Sequence, residues 1–387
     1  MKPPERGFPV SEYQARLDRA QALMKAANLS ALFLTTEPEI RYFTGFLTRF
    51  WESPTRPWYL VVPATGKPVA VIPAIGSHLM SRTWVTDIRT WVSPHYTDDG
   101  IGLLADTLAE VAGPDGNIGV PSSAETHLRM PRADWQRLTG LLKQNRLVPD
   151  ADITRRLRIV KSPREIDKIR TACGVVDRAF SRVPEFARTG ELLDRVFRRF
   201  QALSLDEGAD WIGYLAGAAE SQGYGDVISP ATSKKIQTGD VLMLDTGVVW
   251  DGYFCDFDRN FSIGPPTKAV KDAHARLIDA TQAAFEVARP GKTVAALFHA
   301  MDAVLTGGNS GDEPGRLGHG LGMQLTEWPS ILPQDQTVME EGMVLTLEPG
   351  FALDGGKIMV HEENIVFTDA GAEYLSTPAP RDIRVLD

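Results

Sequence analysis

Leu242–Phe261 reads LMLDTGVVWDGYFCDFDRNF, and the rest of the chain can be placed around it. Its left arm is apolar without a break from Val241 to Leu244, as in a strand buried on both faces. Its right arm, Tyr253 to Ile263, is rich in aromatic residues. The Asp251-Gly252 between the arms is a strong hairpin signal. A hairpin closed at residues 250–252 brings Asp245 and Asp256, eleven positions apart, to within a residue or two of opposite places. Ionised carboxylates that close in a dry sheet repel strongly, so a positive partner belongs between them.

The far end of the chain repeats the device. Gly342–Phe351 (GMVLTLEPGF) and Lys357–Thr368 (KIMVHEENIVFT) flank Asp354-Gly355-Gly356. Glu348 and Glu362 each lie seven residues from Gly355, so a hairpin centred there pairs them. Between the two hairpins runs Gly318-His319-Gly320-Leu321-Gly322, whose glycines let backbone pass close to a site and offer one imidazole to it. Four carboxylates and one histidine form a ligand set for hard divalent cations, with enough charge for two bridged ions.

A length of 387 residues accommodates two domains with separate cores. A net charge of −9 and a pI near 5.4 argue against nucleic acid or an anionic membrane as partner. The start, Met1–Ser11, is polar and proline-rich, and no apolar run approaches membrane-spanning length. With only Cys173 and Cys255, no disulfide framework is expected, and the cytoplasm is the default location.

Residues 11–30 place Leu17, Ala20 and Leu23/Met24 on one helical face, and Ala31–Thr36 follows as a strand. Arg41–Phe46 reads as an aromatic turn, with further strands at Trp58–Pro63 and Pro68–Ile72. The alternation of strand and helix continues to about Ile153, so residues 1–155 are expected to form a small α/β domain. Trp51, Trp58, Trp84 and Trp91 fall in one stretch of about forty residues, beside Arg56 in Thr55–Pro57. They are candidates for an aromatic wall facing the other half, with Trp51, Arg56 and Trp58 as substrate contacts suited to a cationic group.

Ser162-Pro163-Arg164-Glu165 is a capping box with proline at the first helical position. Ile166, Ile169, Cys173, Val176 and Phe180 then mark one buried helical stripe. Helices over about 162–186, 190–207, 267–288 and 293–306 alternate with strands from 212 onward. Residues 156–387 therefore read as one α+β domain whose sheet carries all five candidate ligands.

In order and spacing, KSPREIDKIR, LDTGVVWDGYFCDFDRNF, GRLGHGLG, LTLEPGF and HEENIVFT resemble the methionine aminopeptidase, aminopeptidase P, prolidase and creatinase family. The resemblance implies a creatinase-type N-terminal domain followed by a catalytic domain of the "pita-bread" fold, and homodimerisation. It implies two divalent metal ions, manganese ahead of iron, cobalt or zinc. Asp245 would chelate one ion, Asp256 and Glu362 would bridge both, and His319 and Glu348 would hold the other. Bound metal lowers the pKa of water and polarises a carbonyl oxygen, and Glu348 is placed to act as general base.

The departures bear on substrate. Proline-specific members resemble one another in three further histidines, and the matching positions here are Ile228, Gly315 and Thr326. The arginine common two before the bridging glutamate is Val360, and His361 stands next to Glu362. For the leaving-group proton, Glu327 is one candidate, followed by Trp328-Pro329 at the expected pocket rim. Tyr224 and Asp226 are others, in the polar loop before the first metal strand. The reading is a metal-dependent hydrolase cleaving a C–N bond, amide or peptide, of a small molecule or dipeptide. A second reading is a dimethylsulfoniopropionate lyase of the same fold, which resembles this chain in Glu327-Trp328-Pro329 but differs at Thr326 and Gly247. A third is a creatinase- or ectoine-hydrolase-like enzyme acting on a small zwitterion.

Overall fold

A computed structural model describes residues 3–53, 56–311 and 315–387, so Thr55 of the Arg56 segment lies outside the described residues. The chain forms two compact units, Glu5–Arg158 and Ile159–Asp387.

The first unit is built on a six-stranded sheet of β1 (Ala31–Leu34), β2 (Tyr59–Pro63), β3 (Val69–Pro73), β4 (Asp87–Trp91), β5 (Asn117–Val120) and β6 (Arg146–Pro149), in the order 4-3-2-1-5-6. The central strands β1, β2 and β3 are buried throughout, which explains their unbroken apolar runs. Helix Val10–Ala26 buries Leu17, Ala20 and Met24, as its spacing predicts.

Arg41–Phe46 is not a turn. Helix Glu37–Thr44 covers most of it, opened by a capping box in which Glu39 Oε2 accepts from Thr36 N–H at 3.3 Å. Pro38 sits in its first turn, and Gly45 (φ 77°) ends it. The Thr-x-x-Glu signal outweighed the aromatic run that suggested a turn.

The indoles are packing residues of this unit. Trp58 is 2% exposed and packs on Phe46, Phe50 and Trp51, which leaves its ring almost no surface to offer a ligand. The Trp51 ring lies under the Arg129 guanidinium at 5.4 Å, and Arg129 also donates to the carbonyls of Trp51, Ser53 and Arg56. Trp84 stacks on Tyr13 and donates to Phe43 O at 2.7 Å, while Trp91 stacks on Tyr59. Arg56 itself is half-buried.

The second unit contains two five-stranded sheets, where the sequence suggested one. The first holds β7 (Trp211–Ser221), β8 (Asp240–Trp250), β9 (Tyr253–Phe254), β10 (Phe257–Ile263) and β18 (Arg384–Leu386), in the order 18-10-8-7 with β9 on β8. The second holds β11 (His319–Gly320), β12 (Glu327–Ser330), β13 (Val344–Leu347), β16 (Glu363–Thr368) and β17 (Gly371–Tyr374), in the order 12-11-13-16-17. β14 (Gly350–Leu353) and β15 (Lys357–Val360) form a separate pair. Helices Pro163–Ser181, Leu193–Asp206, Lys268–Val287 and Val294–Leu305 match the predicted ones to within a few residues.

Both hairpins close where the spacing placed them. Asp251 (φ 48°) and Gly252 (φ 81°) are the two central residues between paired Trp250 and Tyr253, a two-residue turn of the left-handed kind. Asp245 pairs with Asp258, so Asp256 lies two residues from the opposite place. In the second hairpin Gly350 pairs with Val360 and Leu347 with Glu363, one register on both sides of a gap. Within that gap the register sets Glu348 against Glu362.

Trp58→Ala is expected to destabilise the protein by about 3–5 kcal/mol, the usual result of emptying a buried indole site. Denaturant unfolding followed by tryptophan fluorescence measures this, and a loss below about 1 kcal/mol would contradict a core role.

Candidate metal centre

Three of the five candidate ligands sit in interruptions of the sheets: Asp256 between β9 and β10, Glu348 between β13 and β14, and Glu362 between β15 and β16. A residue outside the ladder needs another partner for its N–H. Asp256 N–H donates to Asn364 Oδ1 at 3.0 Å, Glu348 N–H to Leu317 O at 3.0 Å, and Glu362 N–H to Asp258 Oδ1 at 2.6 Å. Asn364 also donates from Nδ2 to Asp256 O, so both sides of that peptide are held. Each carboxylate is thus aimed by contacts made specifically at its own break.

His319 is fixed by its neighbours. Its N–H donates to Thr346 Oγ1 at 3.1 Å, and its Nδ1 lies 2.8 Å from Gly320 O. A carbonyl only accepts, so Nδ1 carries the proton and Nε2 presents a lone pair. Nε2 lies 3.5 Å from Asp256 Oδ2. The strand packs so tightly that a Cβ on Gly320 would come within 2.1 Å of Trp328 O, which accounts for glycine there. Burial lowers the His319 pKa to about 4, so the ring is neutral near pH 7.

The carboxylates strain against one another. Burial, then the charges of Asp258 and Glu348, drive Asp245 well above the ordinary range. Burial, then Asp245 and Glu348, do the same to Asp256, and burial, then Asp256 and Glu348, to Glu362. Glu348 is raised to about 7, mainly by burial. Asp245 Oδ1 and Glu362 Oε1 are buried with no hydrogen-bond partner. Donor atoms of Asp256, His319 and Glu362 lie within 4.8 Å of one another. Orphaned anionic oxygens beside a neutral imidazole lone pair are what a divalent cation would satisfy, so the donor set fits a metal.

A second layer stands behind the ligands. His361 lies between Asp258 Oδ1, 3.4 Å from its Nδ1, and Glu363 Oε1, 3.2 Å from its Nε2. Burial alone would lower the pKa of His361, but these two carboxylates outweigh it and raise the value. Arg259 pairs with Glu363 at 3.0 Å and also donates to Glu362 O at 3.2 Å. Asp258, which the sequence reading passed over, therefore holds Glu362 from behind. The Asp-Phe-Asp spacing was its signal, since alternate residues of a strand face one side.

The residues proposed to act on substrate are placed less favourably. Glu327 is 4% exposed; its Oε1 accepts from Met323 N–H at 2.8 Å and Gln324 N–H at 3.2 Å, and its Oε2 pairs with Lys161 at 3.2 Å. Both oxygens are engaged, so Glu327 is a clamp for the loop after His319 and is poorly placed as a leaving-group acid. Tyr224 is fully buried in the core, its hydroxyl bonded to Asn260 Oδ1 and Val360 N–H. Asp226 is exposed, but its carboxylate caps Ile228 N–H and Ser229 N–H. Trp328 is 6% exposed. Of the three positions matched to family histidines, Ile228 and Gly315 are exposed and Thr326 is half-buried. Tyr214 is half-buried and was not anticipated. It pairs with Gly247, so it shares a sheet face with Asp245, and its pKa is raised by burial and then by Asp245.

A neutral imidazole and four mutually repelling carboxylates, held in a pair of sheets of the second unit, define a metallohydrolase-type centre. Comparison with known proteins specifies it further. Residues 167–370 match the metallopeptidase family M24 and residues 16–160 the creatinase/prolidase N-terminal domain; the chain belongs to this family and is a hydrolase of it. It is 30% identical to a probable dipeptidase PepE of Mycobacterium tuberculosis over 379 residues, 95% of each chain. It is also 30% identical to a Xaa-Pro dipeptidase of Pyrococcus furiosus over 229 residues, 58% of this chain and 65% of that one. The crystal structure of dipeptidase PepE from Mycobacterium ulcerans superposes with a TM-score of 0.84 at 28% identity, over 98% of this chain and 99% of that one. A prolidase from Thermococcus sibiricus has the same fold, with a TM-score of 0.85 at 22% identity, over 98% of this chain and 100% of that one. Among the described residues no helix is long and apolar enough to cross a membrane.

The electrostatics give a pH prediction for the metal-free protein. A carboxyl whose folded pKa lies above its unfolded value adds stability at low pH and loses it as pH rises through the folded value. Asp245, Asp256, Glu348 and Glu362 all act in this sense. His319, lowered from 6.5 to about 4, opposes them only below its ordinary 6.5. The chelator-treated protein should therefore melt at a lower temperature at pH 8 than at pH 6.5. Added divalent metal should raise the melting temperature more at pH 8.

Proposed function

We propose that this protein is a metal-dependent peptidase of small substrates, with a dinuclear centre that takes manganese, hydrolysing the amide bond of dipeptides or closely related compounds. The observation that carries the reading is the convergence of Asp256, His319 and Glu362, with orphaned carboxylate oxygens on Asp245 and Glu362. Asp245 would hold one ion, Asp256 and Glu362 would bridge, and His319 Nε2 and Glu348 would hold the second. Cations bound there supply Lewis acidity toward a carbonyl oxygen and toward water.

The protein's own groups set the rest. Glu348 is less buried than Asp256 and Glu362, and would serve as general base toward the attacking water. Asp258, braced by His361, fixes the backbone of Glu362 and with it the bridging carboxylate. Lys161 and Glu327 fix the loop that follows His319. Tyr214 offers a hydroxyl on the face that carries Asp245, with its O–H toward Val227 O at 3.2 Å.

Two measurements test this. Asp256→Ala and Glu362→Ala each remove a bridge and are expected to abolish metal loading, measured as bound metal per chain by elemental analysis. A variant that keeps the wild-type stoichiometry would overturn the bridging roles. For substrate, imidazoles at the positions of Ile228, Gly315 and Thr326 would each add about 10²–10⁴ in rate to proline-peptide cleavage. Gly-Pro and Ala-Pro are accordingly expected to be poor substrates of the manganese-loaded enzyme beside non-proline dipeptides. A kcat/KM on either at or above about 10⁴ M⁻¹s⁻¹ would contradict this and make the protein an ordinary prolidase-type enzyme.

A further inference from the structure

A cavity of about 370 Å³ lies in the second unit beside β10, and none of the five candidate ligands lines it. Three pieces of chain build it. Helix Pro163–Ser181 supplies Asp177, Phe180 and Ser181, which at spacings of three and four share one helical face. β10 supplies Arg259 and Phe261, and β18 supplies Arg384, which pairs directly with Phe261. Residues opposite one another in a ladder, or two apart in a strand, point to one side. Asp258, which holds Glu362 from behind, points the other way. The segment 377–380 closes the cavity and is fastened along its length. Thr377 Oγ1 donates to Asp177 Oδ2 at 2.8 Å, Ala379 N–H donates to Glu363 Oε1 at 2.8 Å, and His274 Nε2 lies 3.1 Å from Pro380 O. The cavity is a built feature of the fold.

The charges in its lining are unevenly matched. Arg178 is paired with Glu207 at 2.7 Å and Arg259 with Glu363 at 3.0 Å. Arg384 is exposed, and among the described residues nothing hydrogen-bonds or ion-pairs with its side chain. The Asp177 carboxylate accepts from Thr377 alone, and among the described residues no lysine or arginine comes within ion-pair distance of it. Nor do Arg384 and Asp177 pair with each other. One cavity thus offers a cation and an anion that are both without a charged partner, together with apolar surface from the buried Phe180 and Phe261 and from Pro378. A simple anion would meet Asp177, and a simple cation Arg384, as a like charge. A molecule bearing both charges meets each with its opposite.

We infer that this cavity binds a free apolar α-amino acid as its zwitterion. The carboxylate pairs with Arg384, the ammonium with Asp177, and the side chain packs on Phe180 and Phe261. The planar fork of arginine takes a carboxylate in bidentate fashion, and burial of the aliphatic or aromatic side chain adds to the affinity. The volume suits a small molecule, since ligand pockets begin at about 300 Å³. The site stands independently of the peptidase reading, although hydrolysis of a dipeptide would release such a molecule. Arg259 is shared between the two regions: it lines the cavity and donates to Glu362 O at 3.2 Å. An occupant would therefore lie against a group that braces the metal centre.

The test uses photo-leucine, a leucine analogue whose side chain carries a diazirine, irradiated with the manganese-loaded protein. Mass spectrometry then locates the labelled residues, and no turnover is needed. Label should appear within residues 177–181, 259–261 or 377–384, and excess leucine should displace it. Leucinamide and 4-methylpentanoate each lack one of the two charges, and each should compete about tenfold or more weakly than leucine, the order expected for one charged contact. Arg384→Gln, at an exposed position, should cut labelling at these residues by about tenfold or more with the melting temperature unchanged. Asp177→Asn, which keeps an acceptor for Thr377, should do the same. Absence of label there, label that leucine does not displace, equal competition by either single-charge analogue, or full labelling of Arg384→Gln overturns the assignment.

Discussion

The repulsion among four buried carboxylates is the constraint on which the catalytic unit is built. Asp245, Asp256, Glu348 and Glu362 come from two hairpins far apart in the chain, and without a cation each is pushed toward protonation. Among the described residues no lysine or arginine side chain pairs with these carboxylates. The surroundings leave two oxygens without a partner and hold an imidazole neutral beside them. Behind the ligands the charges do alternate, Asp258 to His361 to Glu363 to Arg259, so each carboxylate of that layer has an imidazole or guanidinium within 3.4 Å. The contrast between a balanced outer layer and an unbalanced inner one locates the functional centre.

Much of this was readable in the sequence because hairpins convert spacing into proximity. Asp251-Gly252 and Gly355 mark two turns, and counting outward from each places two carboxylates in opposition. Helix limits in the second unit were legible for a similar reason, since Ser162-Pro163-Arg164-Glu165 and Thr267 carry caps written in local residues. Where the reading failed, the deciding contact was distant or was masked by a stronger local pattern. Lys161 meets Glu327 across 166 residues, and nothing near Glu327 announces that both its oxygens are taken. Tyr224 sits in a stretch rich in glycine and polar residues, yet inside the core its hydroxyl donates to Asn260 Oδ1 and accepts from Val360 N–H. At Arg41–Phe46 the aromatic run hid a capping box a few residues upstream. The division of the ligands between two sheets could not be read either, because strand order is settled by long-range pairing.

The two cysteines show how closely the centre is packed from behind. Cys173 Sγ lies 3.4 Å from Asn364 Oδ1, the atom that accepts the Asp256 N–H, and both thiols are buried. Burial raises the Cys173 pKa well above the ordinary thiol range, with Cys255 beside it adding to the effect, so it is held as the inert thiol. The helix Pro163–Ser181 thereby touches the same asparagine that positions a bridging ligand.

That three ligands occupy breaks in the ladders has an evolutionary consequence. Their side chains carry no strand pairing, so a donor can be exchanged while both sheets stay intact. Exchanging one also relieves a repulsion, so a chain that gives up a carboxylate gains stability as it loses a cation site. On such a scaffold the path of least resistance under drift leads away from metal dependence. The persistence of the complete donor set is then something that only selection for activity maintains.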